Sequence, residues 1–290
     1  LDVLVYPEIG MDQASFLLSS LRLAPVQACG WGHPVTPGHR AIDYYISCAE
    51  MEPADAQEHY NERLLLLPGI GTRYRMPEVP AASKLKTRAD FQLPEGKVLY
   101  LFPQSLFKVH PDTDRLLVDI LAQNSDAILV MFASHSPGVT QRFVARLQRA
   151  FAAAGLPSAG RVKILPGLEH GDYKRVNELC DVMLDSLHWS GGNTSLDALA
   201  AALPIITLPG AMMRGRQSAA MLSMIGLHEL IAADATQYVN LAVALGKDAA
   251  RRRLLAEKIR ANRHQLFDDP RPTRQLNESL AMLAAAVPQH

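Results

Sequence analysis

Two short stretches hold residue types that could handle a diphosphate. The first is Asp185-Ser186-Leu187-His188-Trp189-Ser190-Gly191-Gly192-Asn193-Thr194-Ser195-Leu196-Asp197. An apolar run ends where it begins. Gly191 and Gly192 permit close backbone approach, and small hydroxyl residues then open a helix. The free N–H groups and the dipole at a helix start favour an anion. Asn193 and Thr194 add side-chain donors. Asp197 follows Asn193 at helical spacing and shares its face. A carboxylate there suits the paired hydroxyls of a ribose and repels phosphate, so it belongs beside the diphosphate. Gly-Gly-Asn-Thr is equally a tight turn with an N-cap. The second stretch is Phe102-Pro103-Gln104-Ser105-Leu106-Phe107-Lys108. Lys108 offers a point charge to a phosphate, or is a solvated surface lysine.

Three further loops carry candidate groups. In Leu168-Glu169-His170-Gly171-Asp172-Tyr173, His170 or Tyr173 could stack on a base while backbone groups read its edge. The alternative there is a helix capped by Asp172 beside an ordinary tyrosine. The loop Trp31-Gly32-His33-Pro34-Val35-Thr36-Pro37-Gly38-His39 is stiffened by glycine and proline and could hold a sugar, or it is a turn beside a core tryptophan. Pro209-Gly210-Ala211-Met212-Met213-Arg214-Gly215-Arg216 brings two arginines that could face an anion or solvent. Asp112-Thr113-Asp114 has a metal-binding spacing, but it follows Pro111 at a helix start, where acidic residues belong anyway. The chain has no C-x-x-C, H-E-x-x-H, P-loop or G-x-G-x-x-G pattern, which argues against zinc, NTPase and dehydrogenase chemistry.

The elements that must position these residues alternate between short apolar runs and helical stretches, the pattern of a parallel α/β protein. Strands are expected at Leu1–Tyr6, Val26–Cys29, Ile42–Ser47 and Leu64–Leu67, with a helix at Asp12–Leu23 and a short one at Pro53–Tyr60. Proline-rich residues 68–96 read as a linker. Strands then follow at Val98–Phe102, Ala127–Phe132, Val162–Leu165, Val182–Asp185 and Ile205–Leu208. Helices lie between them, and the candidate loops fall at carboxyl ends of strands, where such folds bind ligands. Residues 1–80 are thus expected to form part of one Rossmann-like domain and residues 81–250 a second. Helices in residues 251–290 are expected to pack back on the first.

The bulk numbers fit a soluble globular protein. The chain has 290 residues, 48% hydrophobic and 20% charged, with a formal net charge of zero. No global field draws it to nucleic acid or membrane. No apolar run reaches the roughly 18 residues of a membrane helix, and no signal peptide is evident. Cys29, Cys48 and Cys180 read as reduced core thiols, which suits a cytoplasmic protein. The chain opens without methionine, directly in a buried-type strand, and reads as a piece of something longer. Nothing speaks to its oligomeric state.

Several stretches together resemble the O-GlcNAc transferase / SPINDLY family. They are Leu23–Gln27, Trp31–Pro34, Ile42–Tyr44, Gln57–Leu64, Pro103–Lys108, Gly191–Asp197, Thr207–Gly210 with Arg216, and Ala242–Asp248, in the family's order along nearly the whole chain. The resemblance implies a GT-B fold of two Rossmann-like parallel-sheet domains, the first incomplete here. It implies an inverting, metal-independent transfer of GlcNAc from UDP-GlcNAc to Ser or Thr of a protein or peptide, with no cofactor. A SPINDLY-type fucosyl transfer from GDP-fucose and a non-catalytic nucleotide-sugar-binding fragment are the alternatives.

By position, Lys108 would be the catalytic cation on the diphosphate. Gly191, Gly192, Asn193 and Thr194 would bind the phosphates and Asp197 the ribose. Gln104 or Ser105 would lie near the donor, and Leu168 would offer backbone to the base beside His170 and Tyr173. Trp31, Gly32 and His33 would flank the sugar, and Arg216 would face the donor. Animal members carry Lys and His at His170 and Tyr173, and Thr-Thr where this chain has Asn193-Thr194; bacterial members look closer. The family's first catalytic segment and its helical repeats have no counterpart in these residues. The expectation is therefore a donor site without a complete acceptor site.

Overall fold

The computed structural model describes residues 1–287 and divides them into two compact units. The first comprises Leu1–Arg75, Ala211–Arg216 and the chain from Gln265; the second comprises Met76–Gly210 and Gln217–His264.

The first unit is built on four parallel strands, β1 (Val3–Tyr6), β2 (Val26–Gly30), β3 (Tyr44–Cys48) and β4 (Arg63–Leu67), ordered as in the chain. Helix α1 (Gln13–Leu18) joins the first two. It is shorter than expected: Asp12 caps it by accepting from the Ser15 N–H, and Ser19 ends it. The β3–β4 connection holds only a 3-10 turn, Ala56–His59. One core cluster gathers Tyr6, Ile9, Cys29, Ile42 and Tyr45, with Trp31 packed against it.

The second unit contains α2 (Ala81–Lys84), β5 (Val98–Leu101), α3 (Asp112–Gln123), β6 (Ala127–Phe132), α4 (Pro137–Ala153), β7 (Val162–Leu165) and α5 (His170–Leu179). It continues through β8 (Val182–Leu184), α6 (Asn193–Ala200), β9 (Ile205–Ile206), α7 (Gln217–Met224), α8 (Ala235–Lys247) and α9 (Ala249–Asn262). All its strands are parallel, in the order β7-β6-β5-β8-β9. The central strands are continuously apolar because helices cover both faces. Chain direction across the sheet reverses beside β5, which pairs with both β6 and β8. A crevice opens at the carboxyl ends of strands at such a switch point.

Two expectations need correction. Residues 76–96 are not a free linker but part of the second unit: Phe91 and Leu93 are buried, and Arg88 pairs with Asp181 at 3.0 Å. The carboxyl-terminal helices do not move as a block either. Helix α9 packs on α8 in the second unit, whereas α10 (Arg271–Ala285) packs on β1 and β4 of the first. Sequence spacing shows that both are helices, but not which sheet covers each apolar face.

No helix among the described residues is long and apolar enough to cross a membrane. The three cysteines are buried and unpaired, and burial pushes the Cys29 and Cys48 thiols up to about 12.

Candidate active site at the switch point

Strands β5 and β8 run side by side in a register that matches Leu101 with Met183. Carried three residues past the strands, that register sets Gln104 opposite Ser186. The Gln104 amide donates to Ser186 Oγ at 3.0 Å and to the Trp189 carbonyl at 2.9 Å, and its own oxygen accepts from the Ser105 N–H. Gln104 is thus a buried strut between the two loops. Ser105 beside it is exposed.

The β5 loop tightens into a 3-10 turn, Leu106–Lys108, that leaves Lys108 half-buried. Its ammonium lies 4.8 Å from the centre of the Trp189 ring and 5.7 Å from that of Phe107. A cation over an aromatic face is attracted by the ring quadrupole. Desolvation lowers the Lys108 pKa below its ordinary 10.5. A partly dehydrated ammonium with no carboxylate paired to it among the described residues interacts more strongly with an arriving anion than a solvated one does.

The β8 loop is held from below by Asp185. This carboxylate, 2% exposed, accepts from Gly191 N–H at 2.8 Å, Ser190 Oγ at 2.7 Å and Thr207 Oγ1 at 2.8 Å. Burial raises its pKa, and those donors oppose the shift. Its backbone carbonyl also accepts from the Tyr238 hydroxyl. A hydroxyl chain continues the anchor: Ser190 bonds Ser218 at 2.9 Å, and Ser218 bonds Ser195 at 2.7 Å. The opening turn of α6 is therefore pinned from inside the fold.

Side chains would crowd the turn ahead of that helix. A Cβ on Gly191 would meet Thr194 Oγ1 at 2.6 Å, and one on Gly192 would meet Gln217 Oε1 at 2.7 Å. The Ser195 and Leu196 N–H groups turn back to the Gly192 carbonyl. Those of Asn193 and Thr194 then point out of the open end of α6. Asn193 is exposed and Thr194 half-buried. Asp197, one turn on, is only 7% exposed, and its Oδ1 has no hydrogen-bond partner among the described residues. Burial raises its pKa, and nearby His170 and Lys174 pull the other way. A buried carboxylate oxygen without a donor is costly in the free protein and suits a ligand that brings hydroxyls.

The segment after β7 differs from expectation. Helix α5 already begins at His170, so only Leu168 and Glu169 remain in the loop. Asp172 does not cap the helix. It accepts from Ser83 at 2.9 Å and pairs with Lys86 at 2.5 Å. The His170 and Tyr173 rings stack with centroids 6.5 Å apart, and Tyr173 also tilts against Phe132. The Asp-x-Asp pair separates: Asp114 is bound by Arg146 at 2.7 and 2.9 Å, whereas Asp112 faces His188.

The second unit thus brings Gln104, Ser105, Lys108, Gly191, Gly192, Asn193 and Thr194 to adjacent strand ends, with Asp197 and the Leu168–Tyr173 segment following on the same sheet. Trp31, Gly32, His33 and Arg216 belong to the first unit. There, Gly32 donates to the Pro7 carbonyl at 3.3 Å, and the His33 carbonyl accepts from Tyr45 at 3.0 Å. Residue-by-residue reading missed Asp185, Trp189 and Ser218. The legible signal for Asp185 was an acid closing an apolar strand just before Gly-Gly.

Comparison with known proteins identifies the family and the fold. Residues 73–276 match the sequence model of glycosyl transferase family 41. A probable UDP-N-acetylglucosamine–peptide N-acetylglucosaminyltransferase SPINDLY of Eustoma exaltatum is 30% identical over 80% of this chain and 24% of its own length. A probable enzyme of the same description, SEC of Arabidopsis thaliana, is 27% identical over 90% of this chain and 27% of its own. A UDP-glucose:protein N-beta-glucosyltransferase of Actinobacillus pleuropneumoniae is 28% identical over 93% of this chain and 43% of its own. The chain therefore spans about a quarter of the plant relatives. Among solved structures, an O-GlcNAc transferase mutant of Thermobaculum terrenum superposes with a TM-score of 0.82 at 28% identity, covering 98% of this chain and 53% of that one. Anabaena HepE, solved with UDP and glucose, shares the fold at a TM-score of 0.67 and 16% identity, over 97% of this chain and 78% of that one. The fold is accordingly of the GT-B type.

Proposed function

Because the chain belongs to glycosyl transferase family 41, we propose that it transfers GlcNAc from UDP-GlcNAc to Ser or Thr hydroxyls of proteins, with inversion and without a metal. The acceptor oxygen attacks the anomeric carbon from the face opposite the diphosphate. The bond from that carbon to the diphosphate oxygen breaks, the electron pair leaves with UDP, and the hydroxyl proton passes to solvent. Negative charge grows on the diphosphate in the transition state. Lys108 and the open turn at Asn193-Thr194 meet that charge with preformed positive potential, in the manner of an oxyanion hole. Asp197 accepts from the ribose hydroxyls. The Leu168 backbone, His170 and Tyr173 take the base.

One observation carries the reading: a desolvated ammonium and an anchored helix start on the two loops that flank a single switch point. The relatives named for UDP-linked donors support UDP over GDP. The test is a transfer assay on Ser/Thr peptides with UDP-GlcNAc, UDP-glucose and GDP-fucose offered separately. Transfer from UDP-GlcNAc to a hydroxyl supports the reading. Transfer only from one of the other donors, or UDP binding without any transfer, sinks it in favour of another donor or a binding fragment.

A further inference from the structure

On the outer parts of the loops after β5 and β8, the described residues bring one set of metal-type ligands together. His110, Asp112 and His188 present donor atoms that all lie within 4.8 Å of one another. His188 Nε2 is 2.9 Å from Asp112 Oδ2, and His110 Nδ1 is 3.2 Å from the same oxygen. The two imidazoles meet edge to face, with centroids 4.8 Å apart. Zinc bonds of about 2.0–2.1 Å in tetrahedral geometry place neighbouring ligand atoms about 3.3 Å apart. Both separations to Asp112 lie near that spacing, and the two imidazole donors lie within 4.8 Å of each other.

The chemistry of the set selects the ion. Two imidazole nitrogens and one carboxylate oxygen suit zinc and its borderline neighbours, whereas magnesium and calcium prefer shells of oxygen. The three side chains are 53%, 59% and 55% exposed, so an ion reaches them from solvent and a water can complete the shell. His188 holds a left-handed backbone, φ 64°, that few residues other than glycine adopt. That conformation belongs to the turn that sets its ring against Asp112.

We propose that His110, Asp112 and His188 form a binding site for a borderline divalent transition metal, Zn2+ first among them, that clips together the loops after β5 and β8. The position gives the site its consequence. His110 lies two residues after Lys108, and His188 immediately precedes Trp189, over whose ring the Lys108 ammonium sits. An ion here ties the two loops from their outer side and restrains the Lys108–Trp189 contact.

Calorimetric titration of the full chain with Zn2+ tests this, and it reads out binding with no donor sugar present. It therefore stands or falls apart from the transfer reaction. One equivalent is expected to bind and to raise the thermal midpoint. His110→Ala and His188→Asn should each weaken binding at least ~10-fold, as loss of a metal's direct ligand does. Asparagine tolerates the left-handed backbone, so the second variant keeps the turn. His135→Ala, an exposed histidine elsewhere, should bind as the unaltered chain does. Equal zinc binding by the double variant His110→Ala/His188→Asn would overturn the proposal. So would a thermal shift that is as large with Mg2+ or Ca2+ as with Zn2+.

Discussion

Lys108 is half-buried against Trp189, and its charge is less well solvated than that of a surface lysine. Its lowered pKa means that the ammonium is lost earlier as pH rises than an ordinary lysine would lose it. The alkaline limb of kcat/KM, which reports the free enzyme, should therefore fall below pH 10.5. Lys108→Arg should move that limb upward out of range, because a guanidinium stays charged. A limb left in place by that substitution would assign it to another group. Asp197 predicts effects of opposite sign on stability and binding. Its raised pKa means that folding disfavours the carboxylate. The penalty is absent below the usual carboxyl range and grows as pH rises through the folded-state value. Asp197→Asn should raise the melting midpoint at neutral pH by about 2–4 °C and weaken uridine binding about 10-fold. Thermal melts at two pH values, with titration by uridine, check both halves.

At the scale of the elements, the start of α6 is set by a buried network rather than by the helix's own residues. Asp185→Ala would strand the Gly191, Ser190 and Thr207 donors. The expected cost is about 3 kcal/mol in denaturant unfolding. Gly191→Ala is the sharper probe: its methyl would press on the hydroxyls of Ser195 and Thr194 and disturb the helix opening while the sheet stays intact. It should lose UDP affinity at least ~10-fold with little change in circular dichroism. Much of the second unit was legible, because strands buried on both faces read as apolar runs and the glycines before α6 marked a break. The network was not legible. Ser218 lies 23 residues beyond Ser195, and Thr207 lies 22 beyond Asp185. No local pattern announces a partner that distant. The Asp172 cap, the alternative offered for the segment after β7, fails for a related reason. Asp172 looks like a cap, but tertiary partners Ser83 and Lys86 take its carboxylate.

At the scale of the whole molecule, the sequence showed two α/β units but not how the chain is shared between them. Proline density suggested a linker where Arg88 and Asp181 instead tie residues 76–96 into the second unit. The last helix returns to the first unit, where Leu276 packs against the cluster of Ala28, Ile46 and Leu67. Leu276→Ala should therefore cost the first unit about 2 kcal/mol, at the lower end for a buried leucine because the side chain is only partly covered. Unfolding followed by a probe in each unit should show that loss in the first unit alone. The likeness to family members ran through both units, so the family was readable where unit boundaries were not. Local motifs persist along the chain, whereas packing partners depend on the completed fold.

The central claim is that Lys108 and the open turn of α6 hold one diphosphate together. Titration of the unaltered chain and of Lys108→Ala with UDP and with uridine tests it most directly. The prediction is at least a ~10-fold loss for UDP, about 1.4 kcal/mol, with uridine affinity unchanged. Equal UDP affinity in both proteins, or an equal loss for UDP and uridine, would contradict it.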